Sequence, residues 1–106
     1  MKHFEETTHL SDILEKSEHG PVIIFKYSST CGSSTRLNSS LEQAVENKSV
    51  TAPIYKVTVQ DQHVLSKKIA EWFEIKHESP QIIIINKGKV TYSAYHGNIN
   101  ISEFRY

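Results

Sequence analysis

Two short apolar runs, Val22-Ile23-Ile24-Phe25 and Ile82-Ile83-Ile84-Ile85, limit the folds open to this chain more than any other feature. Neither run alternates with polar residues, so each needs apolar cover on both faces. Both are too short for buried helices, and they suit strands at the centre of a layered domain. A sheet covered on both faces requires amphipathic helices on both sides. The sequence supplies them. Leu10, Ile13 and Leu14 recur at helical spacing behind Thr7 and Thr8, and Gly20-Pro21 ends that segment. Leu37, Leu41, Ala44 and Val45 predict a second helix, and Val64, Leu65, Ile69, Trp72 and Phe73 a third.

The remaining segments complete the order. Pro53–Val59 reads as a strand. Asn86-Lys87-Gly88-Lys89 is a turn in which Gly supplies a positive φ, and Val90–Tyr95 returns as the hairpin partner of Ile82–Ile85. Asn98–Tyr106 is expected to be a short final helix. Strands alternating with helices predict parallel βαβ units, and the closing hairpin adds an antiparallel edge. This order is the thioredoxin-like arrangement: an α/β fold, central mixed β-sheet with a C-terminal β-hairpin and flanking helices, in one domain over residues 1–106. A flavodoxin-like sheet is the main alternative, but it usually runs longer and has no reason to close on a hairpin.

Charge and cysteine content narrow the function classes. Twelve Lys and Arg balance twelve Asp and Glu, which argues against a nucleic-acid partner, since such binding leaves a basic footprint. One cysteine excludes a disulfide framework or an all-cysteine zinc site within one chain, and a lone thiol fits a reducing compartment. No histidine pair has the spacing of a metal motif, so no protein-only metal site is expected. Met1–Glu6 lacks the apolar core of a secretory signal, and no apolar run approaches the ~20 residues needed to span a bilayer. The expectation is a cytoplasmic protein without a membrane partner.

The chemistry concentrates where the first buried strand gives way to the second helix, in Ser28-Ser29-Thr30-Cys31-Gly32-Ser33-Ser34. Cys31 falls at the loop-to-helix junction, where unpaired N–H groups and the helix dipole favour an anion. Thiolates so placed ionise at about 3.5–7.5, against about 8.5 for a free thiol. Activation aids departure more than attack, because nucleophilicity falls with basicity at a slope of about 0.4–0.5 while a weakly basic thiolate leaves faster. A free cysteine is often only a small buried hydrophobe, but small polar neighbours do not build an apolar pocket. Ser34 shares a helix face with Cys31 and is placed to donate to its sulfur. Cys31 and Ser34 are therefore the candidate catalytic residues.

A second segment, His77-Glu78-Ser79-Pro80-Gln81, precedes the strand Ile82–Ile85. Pro80 suits a strand start because it has no N–H to donate. In a thioredoxin-like fold this position faces the cysteine, where a cis Ser79–Pro80 bond leaves the Ser79 backbone free to pair with an extended thiol substrate. His77 is a candidate to bias the charge on Cys31 or carry a proton. His96-Gly97 is expected near the same end. Thr30, Gly32, Ser33, His77, Ser79 and Pro80 form the candidate substrate-binding set.

With Thr30-Cys31-Gly32-Ser33-Ser34, Lys76-His77-Glu78-Ser79-Pro80-Gln81 and His96 in place, the chain resembles the monothiol bacilliredoxins, the YtxJ-like family of thioredoxin-fold proteins, over essentially its whole length. The resemblance implies a thiol–disulfide oxidoreductase. It would remove bacillithiol from mixed disulfides on cytosolic proteins, with Cys31 attacking and Ser79-Pro80 as the substrate-binding turn. It also implies bacillithiol as a co-substrate thiol rather than a bound cofactor. Because Ser34 cannot resolve a mixed disulfide, a partner redoxin or reductase is expected, and the chain is expected to be a monomer. One residue departs from the pattern, because Gly32 stands where the family often has Pro. Cys-Gly-x-Ser is similar to the monothiol glutaredoxins, which hold a [2Fe–2S] cluster, although Ser33 replaces their usual Phe. A cluster carrier and a non-catalytic adaptor are thus the alternatives.

Overall fold

The two apolar runs form the middle of the sheet. In a computed structural model that describes residues 2–106, β1 (Val22–Tyr27) and β3 (Gln81–Asn86) lie inside, flanked by β2 (Ile54–Thr58) and β4 (Lys89–Tyr95) in the order β2-β1-β3-β4. Every side chain of Val22–Phe25 and Ile82–Ile85 is fully buried, each contributing about 1.5–3 kcal/mol by the usual transfer estimate. Strand parity sorts them between two cores. Ile23, Phe25, Ile82 and Ile84 pack under α2 (Gly32–Glu46) through Leu41 and Ala44. Val22, Ile24, Ile83 and Ile85 pack under α1 (Leu10–Ser17) and α3 (His63–Phe73) through Ile13, Leu65 and Ile69. The N-terminal segment covers the outer edge of β2, where Glu5 N–H donates to Ile54 O (2.7 Å) and Lys56 N–H to Glu5 O (3.0 Å).

Four details differ from the sequence expectation. β1 does not stop at Phe25 but continues through Lys26, whose side chain is wholly buried; partners far along the chain make that tolerable. On α3, Leu65, Ile69 and Phe73 follow one stripe toward the sheet, while Val64 and Trp72 flank it and are mostly exposed. The C-terminal segment forms two 3-10 turns, His96–Asn98 and Ile101–Glu103, rather than one helix. Ile99 and Asn100 between them are extended, and Asn100 caps the second turn by accepting from Ser102 N–H (3.1 Å).

The fourth difference positions the functional site. β1 and β2 are parallel, as a βαβ unit requires, but β3 runs antiparallel to β1 with Lys26 opposite Gln81. α3 ends at Glu74 in the left-handed conformation. The connection 74–80 then returns the chain to the end of the sheet where β1 finishes. A parallel β3 would have started at the far end. The antiparallel direction places residues 77–80 beside the loop that follows β1.

Candidate active site

Cys31 caps the N-terminus of α2. Its backbone is extended (φ −105°, ψ 121°), and its carbonyl accepts the helical bond from Thr35 N–H (3.1 Å). Ser, Thr, Asp or Asn usually fills this position because a side-chain oxygen accepts from the N–H groups two and three residues on. Here sulfur takes that place. The thiol makes no ordinary cap hydrogen bond, yet the amides of the first turn are aimed at it and favour its anion. The Ser34 N–H leads in holding the thiol below its usual value, helped by Ser33 N–H and the two serine hydroxyls and opposed by desolvation. Cys31 is half-buried, so the sulfur remains reachable.

A polar frame holds the loop before it. Ser34 is buried, and its Oγ accepts from Ser28 N–H (3.2 Å). That leaves the Ser34 hydroxyl proton for the sulfur. Cys31 N–H donates to Ser28 O (3.3 Å). Gln60, from the loop between β2 and α3, grips the other side. Its Oε1 accepts from Ser29 N–H (3.2 Å), and its Nε2 donates to Ser28 Oγ (2.8 Å) and Thr30 Oγ1 (3.3 Å). Gln60 was not legible as a site residue in the sequence, because no motif marks it and its partners lie some thirty positions away. Gln60→Ala is expected to lower stability by about 1 kcal/mol, read as an earlier midpoint in urea unfolding. An unchanged midpoint would show that water replaces the amide without loss.

Gly32 and Ser33 are exposed at the first turn of α2. A Cβ on Gly32 would meet only Arg36 Nη1, at 3.6 Å, an ordinary contact. Packing therefore does not demand glycine there. Arg36 lies over this turn, with its Nη2 3.5 Å from Ser33 Oγ.

The second segment sits at the same end of the sheet. The Ser79–Pro80 peptide is cis. Pro80 is buried and Ser79 half-buried. His96 N–H donates to Pro80 O (3.0 Å), which ties the turn after β4 to this loop. Glu78 pairs with His96 (3.4 Å) and Lys76 (3.6 Å). Among the described residues, neither the N–H nor the C=O of Ser79 takes part in a hydrogen bond. His77 turns its Nδ1 inward to Lys26 Nζ and Ser66 Oγ, each at 3.2 Å. Desolvation of that inner edge, and next the Lys26 charge, push the imidazole below its usual value against the pull of Glu78. The structure thus brings Thr30–Ser34, His77–Pro80 and His96 to one end of the sheet, and it adds Lys26 and Gln60.

A family model described as "Monothiol bacilliredoxin BrxC" matches residues 2–104. The chain belongs to the monothiol bacilliredoxin family. Solved structures share the fold. A chain assigned as an oxidoreductase with a thioredoxin fold is 26% identical, with a TM-score of 0.79, covering 92% of this chain and 86% of that one. Oxidised thioredoxin from Plasmodium falciparum matches at 17% identity and a TM-score of 0.67 over 93% and 88% of the two chains. A mutant thioredoxin from Halobacterium salinarum matches at 14% identity and a TM-score of 0.69 over 92% and 80%. The fold is thioredoxin-like, and membership of the family makes the chain a thiol–disulfide oxidoreductase with a single thiol. Among the described residues, no helix is long and apolar enough to cross a membrane.

The lowered Cys31 pKa has a direct readout. The rate of iodoacetamide alkylation follows the thiolate fraction, so its inflection is expected on the acid side of an ordinary thiol. A profile with the inflection of a free cysteine would show that the α2 amides do not act on the sulfur.

Proposed function

We propose that this protein removes bacillithiol from mixed disulfides on cytosolic proteins, with Cys31 as nucleophile and leaving group. The observation that carries the reading is the chain's one thiol at the N-cap of α2, at the same sheet end as a turn whose Ser79 backbone is unpaired. An extended segment of the modified protein pairs with Ser79, as a strand pairs with a free edge. The Cys31 thiolate attacks the bacillithiol sulfur. A Cys31–bacillithiol bond forms, the old sulfur–sulfur bond breaks, and the target protein leaves as a thiolate that takes a proton from water. Ser34 stands where a second thiol would resolve the adduct within the chain, and serine cannot do so. An external thiol, either bacillithiol or a partner redoxin, attacks the bacillithiol sulfur and releases the Cys31 thiolate as the better leaving group. Thr30, Gly32 and Ser33 border the sulfur, while His77 and Pro80 shape the opposite wall. The lone thiol fits the reducing conditions of a cytoplasm, and no step requires a second copy of the chain.

Intact-mass spectrometry tests this reading. Incubation with a bacillithiolated protein is expected to shift the mass of this chain by one bacillithiol, mapped to Cys31, while the target loses the same mass. Loss of the modification from the target with no adduct on Cys31 at any time would sink the mechanism.

A further inference from the structure

Two fully buried polar side chains interrupt the otherwise apolar centre of the sheet. Lys26 ends the row Val22, Ile24, Lys26 on β1, and Gln81 begins the row Gln81, Ile83, Ile85 on β3. They are cross-strand partners, and by parity both project to the α1 and α3 face. Directly opposed side chains on one sheet face are near neighbours. Neither is explained by the needs of the core, where apolar residues of similar length would fill the same space.

Their hydrogen bonds converge on one short segment. Gln81 Nε2 donates to Lys76 O (3.0 Å), and its Oε1 accepts from Glu78 N–H (3.4 Å). Lys26 Nζ donates to His77 Nδ1 (3.2 Å) and, in α3, to Ser66 O (3.0 Å). Three consecutive residues, 76, 77 and 78, are therefore held from beneath by two adjacent sheet positions. The next residues are Ser79 and Pro80. An ammonium only donates, so His77 Nδ1 accepts and the ring carries its proton on Nε2. Among the described residues, no carboxylate is a hydrogen-bond partner of Lys26. A buried cation so placed costs stability, and what it secures is this loop, which it ties to α3 through Ser66 O.

We propose that Lys26 and Gln81 form a buried cross-strand clamp that positions the Ser79–Pro80 turn for substrate pairing. Both are positioning residues that act through the backbone of 76–78 and touch neither the sulfur nor the substrate. The clamp keeps the free Ser79 N–H and C=O in one arrangement, so an incoming strand does not have to order them. The inference rests on the function proposed above, and it deepens that reading by separating the groups that bind substrate from those that aim them.

The test uses Lys26→Met and Gln81→Met, which keep an unbranched side chain of similar volume and remove the polar atoms. Each is expected to raise KM for a bacillithiolated protein about tenfold, with kcat held within about twofold. Alkylation of Cys31 by iodoacetamide, which does not use the turn, is expected to keep its rate and pH profile. In 15N spectra the wild-type His77 ring should be the Nε2–H tautomer, and Lys26→Met should lose that preference. Unchanged KM in both variants overturns the clamp, as does a matching fall in alkylation, which would mean that the pair acts on Cys31. If the wild-type protein leaves bacillithiolated substrate untouched, the proposed function fails separately. The spectra then decide the clamp: unaltered His77 tautomer and Ser79 amide shifts in Lys26→Met overturn it. Gln81→Met gives a second reading should one variant fold poorly.

Discussion

Cys31→Ser is expected to show no removal of bacillithiol above background, a loss on the order of 10³–10⁶ in turnover by analogy with other nucleophile deletions. A hydroxyl cannot form the sulfur–sulfur bond on which exchange depends, and the sequence holds no second thiol to substitute. The fold should be indifferent or improved. Serine is among the preferred N-cap residues, and its oxygen would accept from the same Ser33 and Ser34 amides that now face sulfur. Thermal unfolding at or above the wild-type midpoint, together with zero turnover, assigns the loss to chemistry. Residual turnover above a few per cent would mean that Cys31 is not the nucleophile.

The largest expected change in stability comes from Lys26→Met. Burial holds the Lys26 amine down to about 8, from 10.5, which corresponds to roughly 3 kcal/mol of penalty while the amine is charged. The unfolded chain binds this proton up to about pH 10.5, but the folded chain binds it only up to about 8. Between those values the unfolded state holds more protons, so stability rises with pH across that window. Below pH 8 the penalty stands in full. Methionine removes the charge and loses hydrogen bonds to Ser66 O and His77 Nδ1. A net gain of about 1–2 kcal/mol at pH 7 is expected, or roughly 5–10 °C in the melting midpoint. The gain should shrink between pH 8 and 10.5. A variant less stable than wild type at pH 7 would show that the hydrogen bonds outweigh the buried charge. A gain in stability joined to a higher KM is the pattern of a residue that a stable fold alone would not favour.

Much of this was legible in the chain. The runs Val22–Phe25 and Ile82–Ile85 gave both inner strands, because only double-sided burial suits uninterrupted apolar sequence. Helical spacing located α1, α2 and α3. Cys31 stood out because strand, polar loop and helix follow one another without a gap. Other features resisted reading for physical reasons. Lys26 looks like the end of a strand, since nothing local can neutralise a buried amine; its partners are Ser66 and His77, on another helix and another loop. Trp72 looks like core, but the stripe through Leu65, Ile69 and Phe73 faces the sheet and leaves Trp72 at the surface. The tail from Asn98 lacks the run of apolar positions that would carry a helix past the extended Ile99 and Asn100.

The sequence by itself determined which segments are buried, where the one thiol lies and that no second thiol resolves it. These properties depend on residue type and short-range spacing. The tertiary structure decided the direction of β3, and through it the placement of Ser79-Pro80 at the end of the sheet where β1 leads into the Cys31 loop. It also decided the use of Lys26 and Gln81. Strand direction depends on how the connection 74–80 crosses the sheet end. A buried polar side chain depends on partners brought close only when the whole chain has folded.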